Sequence, residues 1–188
     1  MKALLTAMKK KLEPSAEERK QVEKTINKFL ERLRHDIQAA KIDATVELGG
    51  SFAKNTWLAS EFDVDIFVRF THDDGSISDK LHKLLPEAER VHGSRDYYRL
   101  ECEGTSYEIV PVLYVDDTTK AINVTDCSPL HVKWVQEHES KYLADIRLAK
   151  QFSKSAGVYG AESHIAGFSG HVLDILVIHY KGFRGLLK

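Results

Sequence analysis

Apolar residues at Val22, Ile26, Phe29, Leu30, Leu33 and Ile37 recur at helical spacing, so Glu17–Ala40 predicts a helix with one core-facing side. Ser15 caps its start, and Glu18 three residues on completes a capping box. The period then shortens. Asp43–Leu48 alternates as a strand and stops at Gly49-Gly50, and a short helix is expected over Phe52–Leu58. Asp63–Phe70, rich in Val, Ile and Phe, predicts the next strand. His72-Asp73-Asp74-Gly75-Ser76 reads as a turn, and Ser78–Leu85 as a helix closed before Pro86. Tyr97–Glu103 and Ser106–Val115 make a hairpin around Gly104. Beyond Pro129 the pattern is helical over Leu130–His138, Tyr142–Ala156 and Gly167–Tyr180. This order predicts an α+β fold: a mixed, largely antiparallel sheet of about five strands with flanking helices, then a helical neck. The expected division is a sheet domain over residues 1–127, including the N-terminal helix, and a helical segment over 128–188.

Composition narrows the class. With 43% hydrophobic and 29% charged residues, the 188-residue chain can bury a core. Two cysteines, Cys102 and Cys127, supply neither a disulfide framework nor a zinc ribbon. No apolar run approaches the ~20 residues that span a bilayer, and the basic start, Met1–Lys11, lacks the apolar core of a signal peptide. A cytoplasmic protein without a membrane partner is the expectation. The net charge of −1 conceals a segregation. Residues 1–41 carry 11 Lys/Arg and 6 Asp/Glu; residues 42–130 carry 8 and 17; residues 131–188 carry 8 and 5. An acidic middle between basic ends suits either ordinary surface charge or a carboxylate-lined metal site whose flanks meet a polyanion.

Candidate chemistry concentrates in Gly49-Gly50-Ser51-Phe52-Ala53-Lys54-Asn55-Thr56, followed by Asp63-Val64-Asp65. A strand entering Gly-Gly-Ser and then a helix is either a plain turn or a phosphate cradle of backbone N–H groups and a hydroxyl, with Lys54 adding a cation. Asp63 and Asp65 share one face of a strand. They form either a solvated edge or, with a cation between them, a Mg²⁺ site. Glu108 interrupts an otherwise apolar strand, where an unpaired buried charge is costly. If its strand lies beside Asp63–Phe70, three carboxylates converge and could hold two metal ions about 4 Å apart.

Here the residues resemble a family. Gly50-Ser51, Asp63-x-Asp65 and an acidic residue on a later strand resemble the signature of the polymerase-β-like nucleotidyltransferases. The likeness sharpens to archaeal-type (class I) CCA-adding tRNA nucleotidyltransferases. Gly50-Ser51-Phe52-Ala53-Lys54-Asn55-Thr56-Trp57-Leu58 resembles their Gly-Ser-Tyr-Ala-Arg-Asn-Thr-Trp-Leu. Ser128-Pro129-Leu130-His131-Val132-Lys133-Trp134 is similar to their Thr-Pro-Phe-His-x-Lys-Trp. Ile109-Val110-Pro111, Gly157-Val158-Tyr159-Gly160-Ala161-Glu162 and Gly167-Phe168-Ser169-Gly170 also resemble segments of that family.

The resemblance implies a polymerase-β-like palm followed by a helical neck. It implies addition of CMP and AMP from CTP and ATP to a tRNA-like RNA 3′ end, with pyrophosphate released. Asp63, Asp65 and Glu108 would ligate two Mg²⁺ (or Mn²⁺) ions and carry the catalysis. Gly50, Ser51 and Lys54, with His131, Lys150 and Tyr159 from the helical side, would hold the triphosphate. The family has Glu-x-Asp and a later Asp where this chain has Asp-x-Asp and Glu108, and Arg where it has Lys54. Its members are more than twice this length, with further body and tail domains, so this chain reads as an excised catalytic piece, as part of a split enzyme with a separate chain, or as a naturally minimal transferase. Two alternatives stand beside this reading: an oligoadenylate or signalling-nucleotide synthase of the same superfamily, and a non-catalytic RNA- or partner-binding module of a split enzyme.

Overall fold

The computed structural model describes residues 2–59, 63–138 and 141–188. The chain forms two compact units, and they do not divide at a single point as expected. One gathers Ala16–Ala53 and Asp63–Val132; the other gathers Met1–Ser15, Lys54–Phe62 and Lys133–Lys188. The expected helix over Glu17–Ala40 lies in the sheet unit, while residues 1–15 group with the C-terminal third. No described helix is long and apolar enough to cross a membrane.

In the sheet unit, α2 (Ala16–Ala39) leads into β1 (Ala44–Leu48) and α3 (Gly50–Ala53). Next come β2 (Val64–Phe70), α4 (Ile77–Leu84), β3 (Glu89–Val91), β4 (Tyr97–Cys102) and β5 (Thr105–Leu113). Among the described residues the strands form one sheet in the order β1-β2-β5-β4-β3. β2 pairs parallel with β5, and the other pairings are antiparallel. The expected mixed, largely antiparallel sheet is therefore found. Its edge strand β3 went unforeseen, because three residues are too few for alternation to register.

One face of the sheet is the core. Val64, Ile66, Val68, Tyr98, Tyr107 and Ile109 point to it and are buried. The predicted stripe of α2 is buried as well, through Ile26, Phe29, Leu30, Leu33 and Ile37. The Phe29 ring stacks on Tyr107 with centroids 4.2 Å apart. Tyr98 donates its hydroxyl to the carbonyl of Ser78 at 2.6 Å, which ties β4 to α4. The β4–β5 turn is two residues long, Glu103 and Gly104, both with positive φ (49° and 74°), the conformation that matches the twist of a tight hairpin.

Two short 3₁₀ turns, Thr118–Lys120 and Val124–Cys127, connect β5 to α5 (Ser128–His138). This connection is anchored by Asp126, which is fully buried. Its carboxylate accepts the N–H groups of Leu113 (2.7 Å), Ile122 (3.2 Å) and Asn123 (2.9 Å) and pairs with Arg95.

In the helical unit, α1 (Lys2–Leu12), α6 (Leu143–Ser155), α7 (Gly170–His179) and α8 (Phe183–Leu186) enclose a second core. Leu12, Leu58, Ile146, Leu148, Ala149, Val177 and Phe183 are buried in it. Asp145 of α6 binds Lys9 of α1 at 2.7 Å and accepts the Phe183 N–H of α8 at 3.2 Å. The expected helix over Phe52–Leu58 is not formed. Helix α3 stops at Ala53, Asn55 takes a positive φ of 53°, and Thr56 and Trp57 continue as buried irregular chain. The reason is a set of tertiary hydrogen bonds that replace helical ones. Arg147, 2% exposed, donates Nε to the carbonyl of Trp57 (3.1 Å) and Nη2 to that of Asn55 (2.7 Å).

Burial by itself would raise the Asp126 carboxyl, but the N–H groups of Leu113 and Asn123 and the Arg95 guanidinium outweigh it and hold the group below its ordinary value. A depressed folded-state value stabilises the protein above the unfolded value of ~3.9. That stabilisation disappears as pH falls through the folded value. Asp126→Ala, which removes the nearer of the two carboxylates that Arg95 pairs with and leaves the N–H groups of Leu113, Ile122 and Asn123 without their acceptor, is expected to cost about 3–5 kcal/mol at pH 7. In urea melts from pH 7 to 3, the variant is expected to lose less stability in acid than the parent does.

Candidate active site

The alternation of β2 and β5 sends Val64, Ile66, Tyr107 and Ile109 into the core and turns Asp65 and Glu108 to the opposite face. Their register does the rest. Asp65 is the direct partner of Glu108 in the parallel ladder, which sets the two backbones about 4.8 Å apart. Both side chains are half-buried.

Gly50 closes on this pair from the β1–α3 turn. Its φ is +54°, and a Cβ built there would lie 1.6 Å from Asp65 Oδ2, so only glycine lets the turn approach the carboxylate. The turn is pinned by the Gly49 N–H, which donates to the Asp65 carbonyl at 2.7 Å. Ser51 follows in α3, half-buried. The expected Gly50-Ser51 turn and the Asp65–Glu108 pair therefore meet within one unit.

The expected convergence of three carboxylates is only partly realised. Asp63 is exposed and lies one residue ahead of Val64, where the β2–β5 ladder begins, so the register that aligns Asp65 with Glu108 does not reach it. Among the described residues, no group of three or more His, Cys, Asp or Glu side chains is gathered to hold a metal. The donors nevertheless suit Mg²⁺, which takes hard oxygen ligands from one or two carboxylates and completes its shell with water and phosphate oxygens.

Glu108 has a partner that the sequence reading missed. Arg99, its direct neighbour on β4, places Nη2 3.2 Å from Glu108 Oε1. That hydrogen bond pushes the Arg99 guanidinium above its ordinary value. A signal was available, because a two-residue turn at Glu103-Gly104 pairs Arg99 with Glu108 by counting alone.

Lys54 and Lys150, both expected beside a triphosphate, are buried in the helical unit around Asp174. Lys54 Nζ lies 2.8 Å from Asp174 Oδ2, and Lys150 Nζ lies 3.4 Å from Oδ1 while donating to Thr56 Oγ1 at 2.7 Å. Two ammonium groups in a desolvated core need an anion, and Asp174, fully buried, supplies it. A lone carboxylate inside the apolar run Val172–Ile178 was the available sign. Tyr159 is half-buried in the same unit, its hydroxyl 2.9 Å and Lys150 Cε 3.7 Å from where a Gly170 Cβ would lie. They therefore border the first turn of α7, which Ser169 caps by accepting the Val172 N–H. His131 sits in the first turn of α5 and is half-buried.

Residues 26–131, more than half of the chain, match the family model of the nucleotidyltransferase domain. The chain belongs to the nucleotidyltransferase family. Residues 144–188 match the second domain of tRNA nucleotidyltransferase. The CCA-adding enzyme of Nanoarchaeum equitans is 44% identical over 149 residues, covering 76% of this chain and 38% of that protein. The CCA-adding enzyme of Saccharolobus solfataricus is 34% identical over 186 residues, covering 94% and 43%. The resemblance to archaeal CCA-adding enzymes is thus borne out, and this nucleotidyltransferase spans about two-fifths of the length of those relatives. Among solved structures, E. coli MS115-1 CdnC with ATP superimposes with a TM-score of 0.68 at 16% identity, covering 97% of this chain and 68% of that one. A cytoplasmic RNA terminal U-transferase gives 0.65 at 15%, covering 95% and 52%. These likenesses establish the polymerase-β-like fold that was expected.

Gly50→Ala is expected to destabilise the nucleotidyltransferase by about 1–3 kcal/mol, from the positive φ and the collision with Asp65. In urea melts of a double-mutant cycle, Asp65→Ala should return the collision part and leave the backbone part. Strict additivity of the two substitutions would show that the turn and the carboxylate do not touch.

Proposed function

We propose that this chain catalyses metal-dependent, template-independent transfer of CMP or AMP from CTP or ATP to the 3′ end of a tRNA or tRNA-like RNA, releasing pyrophosphate. The observation that carries this reading is the register of Asp65 with Glu108 against the Gly50 turn. The similarity to proteins named CCA-adding enzymes supports the choice of acceptor and nucleotides.

In this mechanism Asp65 and Glu108, with Asp63 drawn in, hold the divalent cations. When bound, those ions neutralise the triphosphate and lower the pKa of the attacking hydroxyl. The acceptor 3′-oxygen forms a bond to the α-phosphorus, the α–β phosphoanhydride bond breaks, and pyrophosphate leaves with its electron pair. Glu108 accepts the hydroxyl proton. The Gly50-Ser51 turn holds phosphate oxygens beside Asp65 through its backbone and the Ser51 hydroxyl. We assign phosphate contacts also to His131, Tyr159 and Lys150, the last held in place by Asp174. Lys54 is reassigned from phosphate ligand to the structural partner of Asp174. The chemistry needs positioning and charge neutralisation rather than a covalent intermediate, which is why few residues carry it.

Incubation with tRNA lacking its 3′ terminus, Mg²⁺ and labelled CTP or ATP is expected to extend the RNA. Asp65→Ala is expected to lower the rate by about a thousandfold or more while the far-UV spectrum and melting temperature stay near those of the parent. Full activity in Asp65→Ala would overturn the mechanism. Product formed from NTP alone, without RNA, would instead assign the chain to the nucleotide synthases.

A further inference from the structure

Resting on the reading of Asp65 and Glu108 as the metal-holding pair, we propose that Arg99 is a positioning residue for that site: it holds Glu108 while no cation is bound and turns to Glu89 when one enters. Directly opposed residues in a sheet share a face. Asp65 pairs with Glu108, Glu108 with Arg99, and Arg99 with Glu89, so four charged residues form one row across β2, β5, β4 and β3. Along that row the signs run negative, negative, positive, negative. Asp65 and Glu108 repel each other as like-charged neighbours, and Arg99 relieves that repulsion from the far side of Glu108.

The contact geometry defines what Arg99 occupies. Its Nη2 lies 3.2 Å from Glu108 Oε1 and 3.3 Å from the Tyr97 hydroxyl. The guanidinium therefore claims a carboxylate oxygen that an incoming cation would use. A guanidinium does not lose its charge at any pH a protein tolerates. It cannot vacate Glu108 by deprotonating; it has to move. The Arg99 side chain is 44% exposed and that of Glu108 29%, so the ion pair is screened and weak enough to exchange. Glu89 is exposed, sits at the matching position of the edge strand and offers the alternative carboxylate.

The test is Mn²⁺ binding to the nucleotide-free, 188-residue protein, read as loss of the free Mn²⁺ paramagnetic resonance signal. Arg99→Ala is expected to tighten binding about threefold to fivefold, the worth of one exposed ion pair. Glu89→Gln is expected to weaken it about twofold, because Arg99 then has no carboxylate to move to. In a Glu108→Gln background, Arg99→Ala should leave Mn²⁺ binding unchanged. Wild-type binding with an unchanged or weakened Arg99→Ala variant, its circular dichroism and melting intact, would overturn the role of Arg99 alone. Absence of Mn²⁺ binding by the wild-type protein would overturn the metal reading and this proposal together.

Discussion

The parallel pairing of β2 with β5 is the constraint on which the sheet unit depends. Neighbouring parallel strands cannot be joined by a tight turn, so the chain leaves β2, builds α4, β3 and β4, and returns through the Glu103-Gly104 hairpin. That route puts β5 in the centre of the sheet with both faces covered or half-covered. The same register has two outcomes. It carries Tyr107 under Phe29 of α2, where the rings stack, and it carries Glu108 beside Asp65 on the other face. A slip of one residue would exchange these roles, burying a carboxylate under α2 and exposing an aromatic ring. The core therefore enforces the site: apolar contacts on one face hold two like charges together on the other.

Charge in this protein does two kinds of work, and burial separates them. Asp65, Glu108 and Arg99 are partly exposed, so their pairing is adjustable and available to ligands. Asp174, Lys54, Lys150, Arg147 and the Arg95–Asp126 pair are almost wholly removed from solvent. Such groups hold irregular chain in place where regular hydrogen bonding stops. Arg147 and Lys150 bind the segment after α3, and Asp126 binds the connection after β5. In each case an ionic side chain takes over backbone groups that a helix or a ladder would otherwise have satisfied.

Several features were legible in the residues because they follow from local periodicity. The α2 stripe from Val22 to Ile37, the strand Asp63–Phe70 and the hairpin around Gly104 each repeat over enough residues to announce themselves, and the structure contains all three. The two carboxylates at Asp65 and Glu108 were legible too, since a charge on an otherwise apolar strand must face away from the core. The helix expected after Phe52 failed because Thr56 and Trp57 bind the side chains of α6 rather than their own backbone. The burial of Lys54 and Lys150 went unforeseen for a related reason: a lysine's charge favours the surface, and only a buried Asp174 reverses that preference.

The sequence by itself thus determined most of the elements, the core faces and the family, because each is written within a few consecutive residues. The tertiary structure alone decided which charges meet. Asp174 lies 120 residues from Lys54, and Glu89 reaches the row of Asp65 only through three strand pairings. Contacts of that kind depend on register and on how the chain returns to itself. Local pattern carries no record of either, because the free energy that selects them comes from burying whole faces rather than from any one pair.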